Sequence, residues 1–184
     1  MRSAIVGYAH TMDDAPGAAP AAVALILSET AGEAEMLFIR RAVREGDPWS
    51  GHVGLPGGMR DGTDANLLIT AARETHEEIG VDLRSVLCVA QLSDVRTRTP
   101  RLPAVYVRPF VWALEERPAL QLSAEVEATF WVPLARLLVP GARRDLDMPG
   151  LERPVRAYVV GEEVIWGMTE RILTPFLEAV SHDL

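Results

Sequence analysis

The chain has 184 residues, 48% hydrophobic and 24% charged, with a net charge of −8; this is the make-up of an ordinary soluble domain long enough to bury a proper core. The acidic balance speaks against a nucleic-acid binder, which carries a basic stripe, and it means that any anionic substrate needs local cations to approach. One cysteine, Cys88, excludes an intrachain disulfide, no apolar run is long enough to span a bilayer, and no basic-then-apolar leader opens the chain, so a cytoplasmic location with no membrane partner is expected.

Residues 1–21, rich in Ala, Pro and Gly, read as a lead-in arm to a single domain that fills the rest of residues 1–184. AVALILSE (22–29) and EMLFIRRA (35–42), joined by TAGEA, have the pattern of a two-stranded hairpin. The polar loop VREGDPWS follows, then HVGLP running into Gly57-Gly58, a turn at which backbone can come close to a ligand or metal. From Asp64 to Ile79 the spacing turns helical, with Leu68, Ala72, Thr75 and Ile79 on one stripe. Asp64 suits the N-cap and Gly80 the residue after the helix. SVLCVAQL and LPAVYVRPFVWAL read as strands, with Cys88 a small buried hydrophobe and Pro109 marking an edge or a bulge. TFWVPLARLL suggests a strand entering a helical turn, RAYVV another strand, and IWGMTERILTPFLEAV a closing helix with a possible kink at Pro175. The irregular alternation of strands and helices points to a layered α/β or α+β domain.

The stretch ARETHEEIG sets Glu74, Glu77 and Glu78 in the last turns of that helix. Like charges four apart cost roughly 0.2–0.5 kcal/mol per pair, and the negative end of the helix dipole adds to the penalty. On a wheel with Leu68 at zero, Glu77, Glu74 and Glu78 fall at about 180°, 240° and 280°. They would then share one flank, away from the side packed on the sheet. Two readings are open: a solvated acidic face, or carboxylates converging on a hard dication, Mg²⁺ or Mn²⁺, that cancels their repulsion.

With the Pro-Gly-Gly turn upstream, GMRDGTDANLLITAARETHEEIGV from Gly58 resembles the Nudix box, G-x5-E-x7-R-E-U-x-E-E-x-G-U with U apolar. Arg73, Glu74, Glu77, Glu78, Gly80 and Val81 match position by position. The chain departs from the pattern in having Asp64 at the first acidic position, one extra residue before Arg73, and Thr75 at an apolar position. The lengthened spacing, LPGG before the box, RPFV at 108–111 and IWGMTERIL at 165–173 are similar to the coenzyme A diphosphatase branch of the Nudix hydrolases. That branch's upstream signature finds Arg40, Arg41, Arg44 and Gly51 here, in a different spacing.

The resemblance implies an α/β/α sandwich with a mixed central sheet and a pyrophosphohydrolase. Its substrate would be a small-molecule nucleoside diphosphate derivative, coenzyme A first, with ADP-ribose-type compounds or nucleoside triphosphates as alternatives; a non-catalytic nucleotide sensor is the other class. It further implies Mg²⁺ or Mn²⁺ on Glu74, Glu77, Glu78 and the Gly57 carbonyl, with Arg73 orienting the glutamates. The general base would come from the box, as Glu77, or from a later loop, where Glu125 is preferred to Glu127. Arg40 and Arg41 alternate on a strand, so one of them can face the site and hold a phosphate. Trp49 in the DPWSG loop could stack a base, and Arg96, Arg98 and Arg101 could catch a distal phosphate. A homodimer is compatible with all of this.

Overall fold

The computed structural model describes residues 17–47, 49–97 and 104–181. Strands β1 (Ala19–Thr30) and β2 (Glu33–Arg41) form the expected hairpin. They close through Ala31 and Gly32, both at positive φ (53° and 84°), the two-residue geometry that suits the twist of paired strands. β1 begins at Ala19, so the lead-in arm gives way to the sheet three residues earlier than the sequence suggested.

β1 organises the sheet because it changes partners along its length. Its Leu27–Thr30 end pairs with β2, whereas Ala21–Val23 pair with the short strand β4 (Gly57–Met59). Along its other side runs β7 (Val105–Leu114), parallel over the whole span from Ala19↔Val105 to Ser28↔Leu114. β2 carries β3 (Val53–Gly54) and β8 (Val126–Pro133), and β5 (Cys88–Gln91) and β6 (Val95–Arg96) share the far side of β7. The result is a mixed eight-stranded sheet among the described residues. Pro109 is tolerated inside β7, not at an edge, because it lies where β5 ends and β6 has yet to begin. There its carbonyl accepts from Leu92 N–H at 2.9 Å, and its missing N–H faces the break between the two partners.

The sheet is apolar on both faces, so both must be covered. Ala22, Ala24, Ile26, Leu37, Ile39, Phe110 and Trp112 pack against helix α1 (Leu67–Ile79). Leu25, Leu27, Met36, Phe38, Val107 and Val111 pack on the other side with α2 (Leu134–Leu138) and α3 (Gly167–Val180). A second sheet, β9 (Arg143–Leu146), β10 (Val155–Val160) and β11 (Glu163–Trp166), is fastened to α3 by Arg143 and the buried Glu170, 2.7 Å apart. α3 continues through Pro175. Cys88 is half-buried and free, with its thiol pushed up by burial.

Candidate active site

The site is built where β4, α1 and the end of β2 meet. The register Ala22↔Gly58, flanked by Ala24 N–H to the Pro56 carbonyl and Arg60 N–H to the Pro20 carbonyl, leaves Gly57 at a non-hydrogen-bonded ladder position. Its N–H and C=O therefore point away from β1, and the N–H reaches Glu78 Oε2 at 2.9 Å. Only glycine fits here. A Cβ at Gly57 would lie 2.2 Å from the Ala22 carbonyl oxygen, and one at Gly58 2.5 Å from the Glu74 carboxylate.

α1 starts later than the sequence suggested. Asn66, not Asp64, is the N-cap, its Oδ1 accepting Ile69 N–H at 3.1 Å. Gly80 ends the helix in the left-handed conformation, as expected. Asp64 is instead buried, and accepts from Arg73 Nε at 3.0 Å, Arg73 Nη2 at 2.9 Å, Asp61 N–H at 2.9 Å and Thr70 Oγ1 at 2.9 Å. The Arg73 guanidinium holds its carboxyl down to about 2. Arg73 in turn lies 2.8 Å from Glu74 Oε1 and 3.0 Å from Glu77 Oε2, and donates to the Met59 carbonyl. One guanidinium, anchored by Asp64, thus lies against two box carboxylates.

The flank expected for the three acids is corrected in one respect. Glu77 is 57% exposed and Glu74 20%, but Glu78 is 4% exposed and turned into the protein. The helix is rolled so that Leu67, Ala71, Thr75 and Glu78 lie on its buried face while Leu68 stays half-buried. The small side chains of Ala71 and Ala72 share one core cluster with Ala22 and Ala24 on β1, and Thr75 is fully buried. That packing carries Glu78 onto Gly57, and Thr75 at an apolar box position is part of it. Burial pushes Glu78 up to about 7; Glu74 and Glu125 add repulsion, and Gly57 N–H and Arg41 oppose it. Glu74 is raised too, by burial first, against the pull of Arg73.

Of the strand-end arginines, Arg41 faces the site and Arg40 does not, a consequence of strand alternation. Arg40 pairs with Glu163 and lies 3.9 Å from Glu127, on the α3 side. This corrects the expectation for Arg40. Arg41 Nη1 stands 3.7 Å from Glu78 Oε1, its Nη2 bonds Asp47 at 2.9 Å, and its Nε is buried without a partner. Asp47 also accepts Trp49 N–H at 2.9 Å, so Trp49 is tied through Asp47 to Arg41, beside the box.

Glu125 comes to the box by a route that its sequence position does not reveal. The carbonyls left over at the end of α1 are used by the segment before it: Gln121 N–H bonds the Ile79 carbonyl and Ser123 N–H the Glu78 carbonyl, both at 2.9 Å. Glu125 is thereby held close enough to repel Glu74 and Glu78, and it pairs with Arg44 Nη1 at 3.0 Å. Glu127 turns toward Arg40. His76 is exposed, and His52 packs on Trp166 with ring centroids 4.7 Å apart. Arg96 lies on β6, while Arg98 and Arg101 fall outside the described residues. Sequence reasoning missed Asp47 as the tie between loop and strand. Its signal is an Asp before Pro-Trp, which favours a side-chain-capped turn.

Residues 18–150 match the NUDIX domain family. The chain belongs to the Nudix family. An uncharacterised Schizosaccharomyces pombe protein is 41% identical over 110 residues, which are 57% of this chain and 33% of that one. An uncharacterised Nudix hydrolase, NudL, of Photorhabdus laumondii is 30% identical over 135 residues, 71% of this chain and 70% of the relative. The chain thus spans a third of the first relative's length and somewhat over two thirds of the second's. Among solved structures, the NUDIX domain of Shewanella oneidensis NrtR complexed with ADP ribose superposes with a TM-score of 0.57 at 18% identity, covering 90% of this chain and 88% of that one. The Nudix α/β/α sandwich is therefore the fold of this chain. No helix among the described residues is long and apolar enough to cross a membrane.

The donor set fits a hard dication. Glu74, Glu77 and Glu78 offer carboxylate oxygens, Glu78 is a buried acid with the Arg41 guanidinium at 3.7 Å, and the Glu74 carboxylate occupies the space that a side chain at position 58 would fill. Among the described residues no three His, Cys, Asp or Glu side chains stand together as a metal-holding group, and Arg73 lies against both Glu74 and Glu77.

Proposed function

We propose that the chain is a divalent-metal-dependent Nudix pyrophosphohydrolase that cleaves the diphosphate of a nucleoside diphosphate linked to another group. The observation that carries this reading is Glu78, a carboxylate buried beside Glu74 and Glu125 and pushed up to about 7 by that burial. Such an arrangement is costly unless a cation offsets it. Mg²⁺ or Mn²⁺ would be held by Glu74, Glu77, Glu78 and the Gly57 carbonyl. Bound there, the ion draws charge from diphosphate oxygens and acidifies a water for attack on phosphorus.

The chain's own groups have these parts. Arg73 keeps Glu74 and Glu77 in position. Arg41, whose guanidinium faces Glu78 at the box, binds a phosphate oxygen. Glu125, at the mouth of the cluster, takes the proton of the attacking water, ahead of Glu77. Trp49 offers a surface for a base. Coenzyme A or a derivative is the first substrate, supported by the LPGG, RPFV and IWGMT segments; ADP-ribose-type compounds follow, supported by the ADP ribose in the NrtR structure.

The test is a panel of such diphosphates incubated with Mg²⁺ or Mn²⁺, with products identified by mass, alongside Glu78→Gln. Wild-type protein releases a nucleoside monophosphate moiety and the variant almost none. Equal rates in the two would refute the assignment. Tight nucleotide binding with no product under any metal would favour a nucleotide-sensing module instead.

A further inference from the structure

Three arginines border the carboxylate cluster, and they differ in how firmly they are held. Arg73 is clamped by two N–H bonds to the buried Asp64. Arg41 is held by Asp47, which is itself fixed by Trp49 N–H. Arg44 meets Glu125 at 3.0 Å, with the two side chains 46% and 51% exposed. A pair this open to water is worth about 0–1 kcal/mol, so a better anion displaces it at little cost. The backbone beneath it is fixed: Arg44 N–H bonds Ser50 Oγ at 2.7 Å, and Ala42 N–H bonds the Glu125 carbonyl at 2.8 Å. Only a side chain has to move. A chain of net charge −8 that gathers Glu74, Glu77, Glu78 and Glu125 in one place needs a mobile cation to admit a diphosphate.

We propose that Arg44 is a substrate-phosphate residue held in reserve: it sits on Glu125 before substrate arrives and transfers to the incoming diphosphate. The exchange does two things at once. It gives the anion a charged donor, and it uncovers the Glu125 oxygen that the guanidinium had occupied, so the base is released only when a phosphate is present to use it. This inference rests on the proposed hydrolase reading and adds a residue to it.

The experiment compares wild type, Arg44→Ala, Arg44→Lys and Glu125→Gln by calorimetry, with Mn²⁺ alone and then with methylenediphosphonate on the manganese-loaded protein, so that no turnover is needed. Arg44→Ala should weaken the diphosphonate by about tenfold, the loss of one charged hydrogen bond, while Mn²⁺ alone binds at least as tightly as to wild type because a competing cation has gone. Arg44→Lys should restore most of the loss. Glu125→Gln should shift the diphosphonate the other way, tightening it about two- to threefold, since the reserve partner no longer competes. Unchanged diphosphonate affinity in Arg44→Ala, or Mn²⁺ and diphosphonate weakened in equal proportion, overturns the proposal. Absence of Mn²⁺ binding by the wild type would instead refute the hydrolase reading on which it stands.

Discussion

Replacing Glu78 by Gln should make the metal-free protein more stable while it disables the site. The carboxyl is pushed from an ordinary 4.5 to about 7, chiefly by burial, a difference worth about 3 kcal/mol. The sign follows from proton release. Below about pH 4.5 Glu78 is protonated in both states and adds nothing. Between about pH 4.5 and 7 the unfolded chain gives up a proton that the folded chain keeps, and stability falls by about 1.4 kcal/mol for each pH unit. Above about pH 7 the whole penalty is present. Gln keeps an acceptor for Gly57 N–H at this 2.9 Å contact, but it forgoes Arg41 and buries an amide, which costs about 1 kcal/mol. The net gain is about 2 kcal/mol at about pH 8, or roughly 4–8 °C in Tm for a chain of this size. Thermal denaturation by circular dichroism in EDTA, at about pH 5 and about pH 8, measures it. The variant should melt well above wild type at the higher pH and close to it at the lower. Saturating Mn²⁺ should raise the wild type and leave the variant nearly unmoved. A variant less stable than wild type at about pH 8 in EDTA would mean that Glu78 is adequately neutralised without metal, and the reasoning would fail.

Gly57→Ala drives a Cβ to 2.2 Å from the Ala22 carbonyl at a φ of 144°, so it should cost more than about 3 kcal/mol. Gly62→Ala, which meets nothing within 4 Å, should be nearly silent in the same melting experiment. Asp64→Asn exchanges a carboxylate that accepts two Arg73 N–H bonds for an amide and should lose about 2 kcal/mol at neutral pH. Because the Asp64 carboxyl is held down to about 2, that contribution is present above about pH 4 and fades as the pH falls toward 2, so the two proteins should converge in acid. Glu125→Gln should lower kcat by about 10²–10⁴ with Mn²⁺ affinity within about threefold of wild type; an unchanged kcat would move the base to Glu77.

What the sequence disclosed follows from how local each feature is. The β1–β2 hairpin, α1 with its Gly80 terminus and the closing helix are written in periodicity and turn residues a few positions apart, so they are legible. β3, β4 and β6, two or three residues each, have no period to read; they exist because β2, β1 and β7 respectively offer edges to pair with. The roles of Arg40 and Arg41 hung on which parity of β2 faces α1, which strand alternation leaves open until the partner helix is placed. An acid before an apolar run usually caps a helix, which is why the sequence points to Asp64 where the structure uses Asn66. The pairing of Asp64 with Arg73, nine residues on, depends on the chain doubling back between β4 and α1. Glu125 was found among loop acids only by family resemblance, since the backbone bonds to the end of α1 that bring it in are not encoded by any side chain.

The two firmly held arginines follow one design. Asp64 grips Arg73, which meets Glu74 and Glu77; Asp47 grips Arg41, which faces Glu78. In each case an acid outside the cluster takes up much of the guanidinium's charge and fixes its direction, so the arginine positions the box carboxylates without fully neutralising them. An arginine without such a partner would close on the nearest glutamate and compete with any dication. A box in which acids outnumber available cations therefore keeps a single geometry and leaves negative charge for the proposed dication. The design predicts an ordering that a double-mutant cycle can check. Asp47→Asn should tighten the Arg41–Glu78 contact and weaken Mn²⁺ binding, and the effect should vanish when Arg41 is already Ala. If Asp47→Asn left Mn²⁺ affinity unchanged while Arg41→Ala altered it, Asp47 would be only a loop anchor and the charge of Arg41 would be regulated by something else.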